Sequence, residues 1–223
     1  MNDKQRAAEH AAQRVKDGML IGLGTGSTTN YFIEALARRQ YDEGLKVETV
    51  ASSIVSGIKA KQLDLPLHSI EQIDKLDLYV DGADEVAPDL TLLKGRGSDL
   101  VREKLLAKAS DAVWILIDHS KQVGRIGENF PVPIEVIPFA WQLVQRSLAG
   151  IGGVGKLRTN GDGLFVTSHG SLVLDTVFDE QLDGISLNKA LNAIPGIIEH
   201  GIFAGMVSAV FCGDNGKVVE RWA

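Results

Sequence analysis

Cysteine is almost missing from this chain: Cys212 is the only one among 223 residues. A single thiol excludes an internal disulfide and any metal site built from several cysteines, and it suits a reducing cytoplasm. Long apolar runs are missing too. The longest, such as Trp114-Ile115-Leu116-Ile117, fall far short of the roughly 20 residues that span a bilayer. The first residues, Met1-Asn2-Asp3-Lys4-Gln5-Arg6, hold no apolar signal core, so export is not expected. Basic charge is scarce, with 23 Lys and Arg against 29 Asp and Glu for a formal net charge of −6. Without a basic stripe to neutralise a phosphate backbone, no general nucleic-acid role is expected. A small anion remains open, because it needs only a few local cations and backbone N–H groups. The five histidines (His10, His68, His119, His169, His200) are scattered without zinc-motif spacing, and no G-x-S-x-G elbow is present. Neither a zinc enzyme nor a serine hydrolase is expected.

What is present centres on Leu78-Tyr79-Val80-Asp81-Gly82-Ala83-Asp84-Glu85. The apolar run reads as a short buried strand that stops at a carboxylate, a turn-permitting glycine and two more carboxylates. In an open α/β sheet, ligands sit beyond the carboxyl ends of strands. Acids crowded there are costly unless they meet a polar ligand or share protons. Taken alone, the stretch reads equally well as an Asp-rich turn that caps a helix.

The flanking chain alternates strand and helix. A helix capped by Asn2 or Asp3 ends at Gly18, and Met19 to Leu23 reads as a first strand. Gly24-Thr25-Gly26-Ser27-Thr28 leads into a helix from about Thr29 to Arg39. Val47 to Ala51 is a second strand, ending at Ser52-Ser53, and a helix from Val55 to Gln62 precedes a short strand at Leu65 to His68. After the acidic turn, Lys94-Gly95-Arg96-Gly97 enters a helix from about Asp99 to Ala109, and Val113 to Ile117 is a further strand. This alternation predicts a Rossmann-like, doubly wound α/β fold with a mostly parallel sheet.

The texture changes at Phe130-Pro131-Val132-Pro133-Ile134-Glu135-Val136-Ile137-Pro138, whose prolines mark a linker or an edge strand. Pro138 suits the first turn of a helix carrying Phe139, Trp141, Leu143, Val144 and Leu148. Short strands at 156–159, 164–167 and 172–177 and a helix near 186–191 predict a small α+β domain. The expected division is 1–129 with 205–223 as the main domain and 130–204 as a small lid. The last strands, 206–211 and 218–220, are expected to return to the main sheet.

Gly22-x-Gly24-x-Gly26 is not the dinucleotide fingerprint, because the third glycine comes one residue early and strand two ends in serines rather than an acid. Nor is it a Walker A loop, since no Lys follows the last glycine. What remains is a glycine loop with three hydroxyls at a helix N-terminus, which favours an anion or serves simply as a capped βα turn. Lys94 to Gly97 joins two cations to two glycines, which let a backbone approach a ligand. Glu103 lies one helical turn on, on the face of Asp99 and Leu100. Lys121 ends a strand on the side of Asp81. Alone, Glu103 and Lys121 each read as surface residues. Together, these strand ends offer cations and N–H groups for a phosphate and carboxylates for hydroxyls. With no cofactor motif in sight, acid–base chemistry on a small phosphorylated polyol is expected.

Gly24 to Thr28, Tyr79 to Glu85, Lys94-Gly95-x-Gly97 with Arg102-Glu103-Lys104, and Asp118-x-Ser120-Lys121-Gln122 closely resemble ribose-5-phosphate isomerase of the A type. The likeness continues through Phe130 to Pro138 and Asn192-Ala193-Ile194-Pro195-Gly196, and covers essentially the whole chain. It implies interconversion of D-ribose 5-phosphate and D-ribulose 5-phosphate without metal or coenzyme, in a homodimer or dimer of dimers. By the same resemblance, Glu103 is the base that works through a cis-enediolate. Asp81 and Asp84 meet the sugar hydroxyls and assist ring opening, and Lys94 steadies the enediolate oxygen. Thr25, Gly26, Ser27, Thr28 and Lys121, joined by Lys4, hold the substrate and chiefly its phosphate. Gly82, Ala83, Gly95, Arg96 and Gly97 complete the substrate-binding set.

One departure stands out: the family usually has glycine where Arg96 stands, and small residues at Ser98 and Asp99. Arg96 either contacts the ligand or points to solvent. Competing readings are a sugar-phosphate sensor, which predicts a DNA-binding segment not seen here, and a related sugar-phosphate isomerase or coenzyme A transferase, which would need different acid–base residues.

Overall fold

A computed structural model describes residues 2–178 and 183–223. The chain forms two compact units, one of Met1–Ala83, Arg102–Lys121 and Met206–Ala223, the other of Asp84–Val101 and Gln122–Gly205.

The first unit is built on a seven-stranded sheet. Its order is Lys217–Trp222, Ala209–Asp214, Ser110–Asp118, Leu76–Asp81, Leu20–Leu23, Glu48–Ala51 and Leu67–His68. All neighbours are parallel except the last two strands of the chain, which pair antiparallel as a hairpin. Alternation sorts each strand's side chains to two faces. Ile21, Leu23, Leu78, Val80, Trp114, Leu116, Ala209 and Phe211 share a core with Ala7, Ala8, Ala11, Phe32, Ile33 and Leu36 from the helices Asp3–Ala12 and Ser27–Glu43. The small alanine face of the first helix lets it pack closely, and each fully buried large apolar side chain such as Phe32 contributes about 1.5–3 kcal/mol. On the opposite register stand Gly22, Tyr79 and Asp81. Tyr79 packs where Gly22 has no side chain: a Cβ there would lie 2.7 Å from its ring.

The second unit carries a four-stranded antiparallel sheet, ordered Ile197–His200, Val132–Val136, Leu172–Phe178 and Gly153–Leu157, and a small three-stranded one of Ile202–Phe203, Leu92–Leu93 and Glu85–Val86. The helices Trp141–Ala149 and Gly184–Asn192 supply Val144, Leu148, Leu187 and Leu191 to its core.

Two expectations need correction. The proline-rich stretch is neither linker nor edge, because Val132–Val136 is paired on both sides. Pro133 is tolerated there because it stands opposite Gly201, past the end of the partner strand. Gly201 donates its N–H to the Pro133 carbonyl at 2.8 Å, and a Cβ on Gly201 would sit 2.7 Å from the proline ring. The unit boundary also departs from residue 130, since 84–101 and 122–129 group with the second unit. The cause is local pairing: Leu92 and Leu93 bond to Phe203 and Ile202. Buried Glu85 binds the segment 127–130, accepting N–H bonds from Gly127, Asn129 and Phe130 at 2.6, 2.7 and 3.0 Å. The third acid of the acidic turn is therefore spent on the fold.

Candidate active site

In the first unit, the carboxyl ends of the strands gather around Asp81. The strand Leu20–Leu23 ends at Gly24, whose N–H donates to the Val80 carbonyl at 2.8 Å. Only glycine fits at this point, because a Cβ would lie 2.0 Å from the Asp81 carboxyl carbon. Asp81 is fully buried. Its Oδ1 accepts from the Thr25 amide at 3.0 Å, the Gly82 amide at 2.7 Å and the Thr29 hydroxyl at 3.3 Å, while Oδ2 accepts from Tyr79 Oη at 2.6 Å. The resemblance implies that Asp81 meets the sugar hydroxyls. Here its carboxylate is taken up by donors of the chain and holds the glycine loop in shape.

Thr25 links this loop to the next strand end, through Ser52 Oγ at 3.0 Å and Ser53 Oγ at 2.7 Å. The helix that follows starts at Ser27, two residues earlier than expected, with Gly26 (φ 114°) at its cap and no side-chain capping bond. Its first N–H groups therefore stay available, at the positive end of the helix dipole. Gly26 and Ser27 are exposed, and Thr28 is buried.

Tyr79, named in the family-like stretch but given no role there, is joined to Asp81 in this network. Burial pushes its phenol well above its usual range, and the charges of Asp81 and Glu103 push the same way against a hydrogen bond with Ser52. In the sequence it stood in the family-like stretch Tyr79 to Glu85, as a hydroxyl inside an otherwise apolar strand. Glu103 itself is 7% exposed, on the helix Leu100–Ala109, so it is not the solvated surface residue that a lone helical Glu usually is. Arg102 beside it donates to the Ala51 carbonyl at 3.3 Å.

Lys121 closes a 3₁₀ turn, His119–Lys121, after the strand Ser110–Asp118. Burial draws the Asp118 carboxyl upward, but the Ser120 hydroxyl and amide, Lys4 and Lys121 outweigh it and hold it below its ordinary value. Lys4 lies 3.7 Å from Asp118, so the two expected phosphate cations share one carboxylate.

In the second unit, partly exposed Asp84 donates its N–H to Leu93 at 2.9 Å. Lys94 is buried, its Nζ 5.7 Å from the Phe203 ring centre, and its N–H bonds to the Gly201 carbonyl at 2.9 Å. Gly95 has φ +91°, with Leu100 filling the space a Cβ would need. The Arg96 guanidinium stacks on Phe130 at 3.9 Å from the ring centre. Of the readings open for Arg96, the structure shows a side chain laid on an aromatic face. Among the described residues, no group of three or more His, Cys, Asp and Glu could hold a metal ion.

Sheet order, the uncapped helix at Gly26 and the acid–hydroxyl network at the strand ends define a Rossmann-like α/β protein with an anion-type loop at its carboxyl edge. The chain belongs to a particular family of that class, ribose 5-phosphate isomerase A (phosphoriboisomerase A), whose model matches residues 48–217. It is 43% identical to the ribose-5-phosphate isomerase A of Bradyrhizobium diazoefficiens over 98% of this chain and 95% of that one. With the enzyme of the same name from Bacillus mycoides it shares 41% identity over 99% of both. Among solved structures, ribose 5-phosphate isomerase A from Methanocaldococcus jannaschii superposes with a TM-score of 0.93 at 37% identity, over 99% of this chain and 98% of that one. A D-ribose-5-phosphate isomerase in complex with phospho-erythronic acid gives 0.94 at 37% identity over the full length of both.

Proposed function

We propose that this protein interconverts D-ribose 5-phosphate and D-ribulose 5-phosphate. The observation that carries the reading is a full-length family match joined to a buried glutamate, Glu103, whose charge bears on the Tyr79–Asp81 pair. Aldose–ketose isomerisation needs a base that takes the proton from C2 and returns it to C1, and a cation at the oxygen where charge develops. Glu103 is the base, and the enediolate it forms is cis. Lys94 steadies the enediolate oxygen, with the peptide groups of Gly95 to Gly97 beside it. Asp84 meets the sugar hydroxyls and assists ring opening. Asp81 contributes by holding the Thr25 and Gly82 amides in place.

The phosphate is taken by the free N–H groups and hydroxyls of Gly26, Ser27 and Thr28, aided by Lys121 and Lys4. A helix N-terminus without a side-chain cap is well suited to a phosphate dianion. No metal or coenzyme is assigned a role. The protein works in the cytoplasm as a homodimer. Phe139 and Leu143, 88% and 69% exposed, offer apolar surface of the kind that assembly covers.

The deciding experiment is proton NMR of ribose 5-phosphate with the purified protein and EDTA in D2O. Ribulose 5-phosphate carrying deuterium at C1 is the expected outcome. Saturable binding without conversion would overturn the isomerase in favour of a sensor. Phospho-erythronic acid, an acid analogue of the enediolate, is expected to compete with the substrate.

A further inference from the structure

Arg158 belongs to none of the motifs that mark the site, yet its guanidinium is spent on one of them. Nε and Nη2 form a two-pronged pair with Asp175, at 2.9 and 2.6 Å. The remaining nitrogen, Nη1, faces three consecutive carbonyls: Gly95 at 3.3 Å, Arg96 at 3.2 Å and Gly97 at 3.1 Å. The side chain is 13% exposed and lies 5.3 Å from the Phe165 ring centre. A second fastener sits one residue beyond the loop, where Ser168 Oγ donates to Asp99 at 2.9 Å and the Ser168 amide reaches the Ser98 carbonyl at 3.4 Å.

The geometry has a chemical consequence. In a trans peptide, C=O and N–H point in opposite directions, and among the described residues there is no cis peptide. Three carbonyls turned toward one guanidinium therefore turn the following amides, those of Arg96, Gly97 and Ser98, away from it. Successive amides aimed one way make a concavity that attracts negative oxygen. Without a cation behind them, three converging carbonyl dipoles would repel one another and the loop would open.

We propose that Arg158, fixed by Asp175, is a positioning residue for the reaction. It holds the Lys94–Gly97 loop so that its amides, rather than its carbonyls, face the oxygens of the sugar phosphate. What the loop binds rests on the isomerase reading; the brace itself does not. Lysine cannot replace it, because a point charge cannot grip Asp175 at two points and also cover the carbonyls.

The test pairs two readouts on the full chain for R158K, R158A and D175N. Arg96 is exposed, so tryptic cleavage at Arg96–Gly97, followed by mass spectrometry, reports the loop directly. In R158K, with native circular dichroism, that cut is expected to quicken about tenfold relative to the other sites, and kcat/KM on ribose 5-phosphate to fall about tenfold to a hundredfold. In R158A, added guanidinium ion is expected to restore part of the lost turnover. Should R158A fail to fold, R158K decides. Faster cleavage with wild-type kinetics, or no change in either readout, overturns the proposal. A wild-type chain with no isomerase activity overturns the isomerase reading and with it the role in reaction, whereas the cleavage rates still decide the brace.

Discussion

Two buried carboxylates, Asp81 and Glu103, illustrate how surroundings assign different work to the same chemistry. Asp81 has donors from Thr25, Thr29, Tyr79 and Gly82 around it, so its charge is compensated inside the fold. Glu103 is nearly as buried, and we assign it the proton transfer. E103Q keeps the shape and removes the base. It should lower kcat by about a hundredfold to ten-thousandfold while leaving the dissociation constant for ribose 5-phosphate little changed, as stopped-flow kinetics and calorimetry would show. K121A should mainly raise KM by weakening phosphate binding in the ground state; an unchanged KM would move the phosphate elsewhere. Y79F removes the 2.6 Å bond to Asp81 and should cost about 1–3 kcal/mol, the penalty for an acceptor left short of a buried donor. Because burial and the two carboxylates raise the Tyr79 pKa, the folded state holds that proton after the unfolded chain has lost it. Stability should therefore fall as pH rises from about 10 toward the folded value, and urea titrations should show a shallower alkaline fall in Y79F.

The elements that carry these residues were readable in part. Strand–helix alternation and the turn after each strand showed the parallel sheet, and the glycine loop fell where the sequence put it. Pro133 misled, because proline forbids a ladder bond and nothing local reveals that Gly201 will stand opposite. The fate of Asp81 was hidden for the same reason: its partners Thr25 and Thr29 are 56 and 52 residues away. Arg158 grips Gly97 across 61 residues, and no pattern within either segment announces the pairing. The sequence signal was strongest where function needs a residue type at a fixed local spacing, and weakest where one distant side chain supports another. Gly24 joins both kinds. Its place in the loop was legible, and the reason for it, the Asp81 carboxyl filling the space of a Cβ, was not. G24A should cost about 1–3 kcal/mol through overpacking and depress activity with it. Thermal unfolding beside steady-state assays would show both, and a neutral G24A would refute the close approach.

Across the whole molecule, the two ends of the chain meet in one unit. Asp3 accepts the Gly216 amide at 3.0 Å, across 213 residues. A Cβ on Gly213 would sit 2.1 Å from the Asp3 carbonyl. His10 and Arg14 both grip Glu220, whose carboxyl is held low first by the His10 bond. Trp114, Phe211 and Trp222 pack as tilted and edge-on rings with centres 5.3–6.3 Å apart. Deleting Met206–Ala223 should therefore remove more than an edge. It strips two strands from the sheet and the partners of Asp3 and His10 in the first helix and of Arg14 just beyond it, and the truncated chain should aggregate on size-exclusion chromatography and lose cooperative unfolding.

That closure carries a cost in time. A ribosome adds about 5–20 residues per second from the N-terminus, so the first helix and five of the seven strands emerge before the two that complete the sheet. Until then, the strand Ser110–Asp118 presents an unpaired apolar edge, the kind of template that recruits other nascent chains. A pause at any point after Ser110–Asp118 has emerged and before Ala209–Asp214 follows would prolong that exposure by its own length.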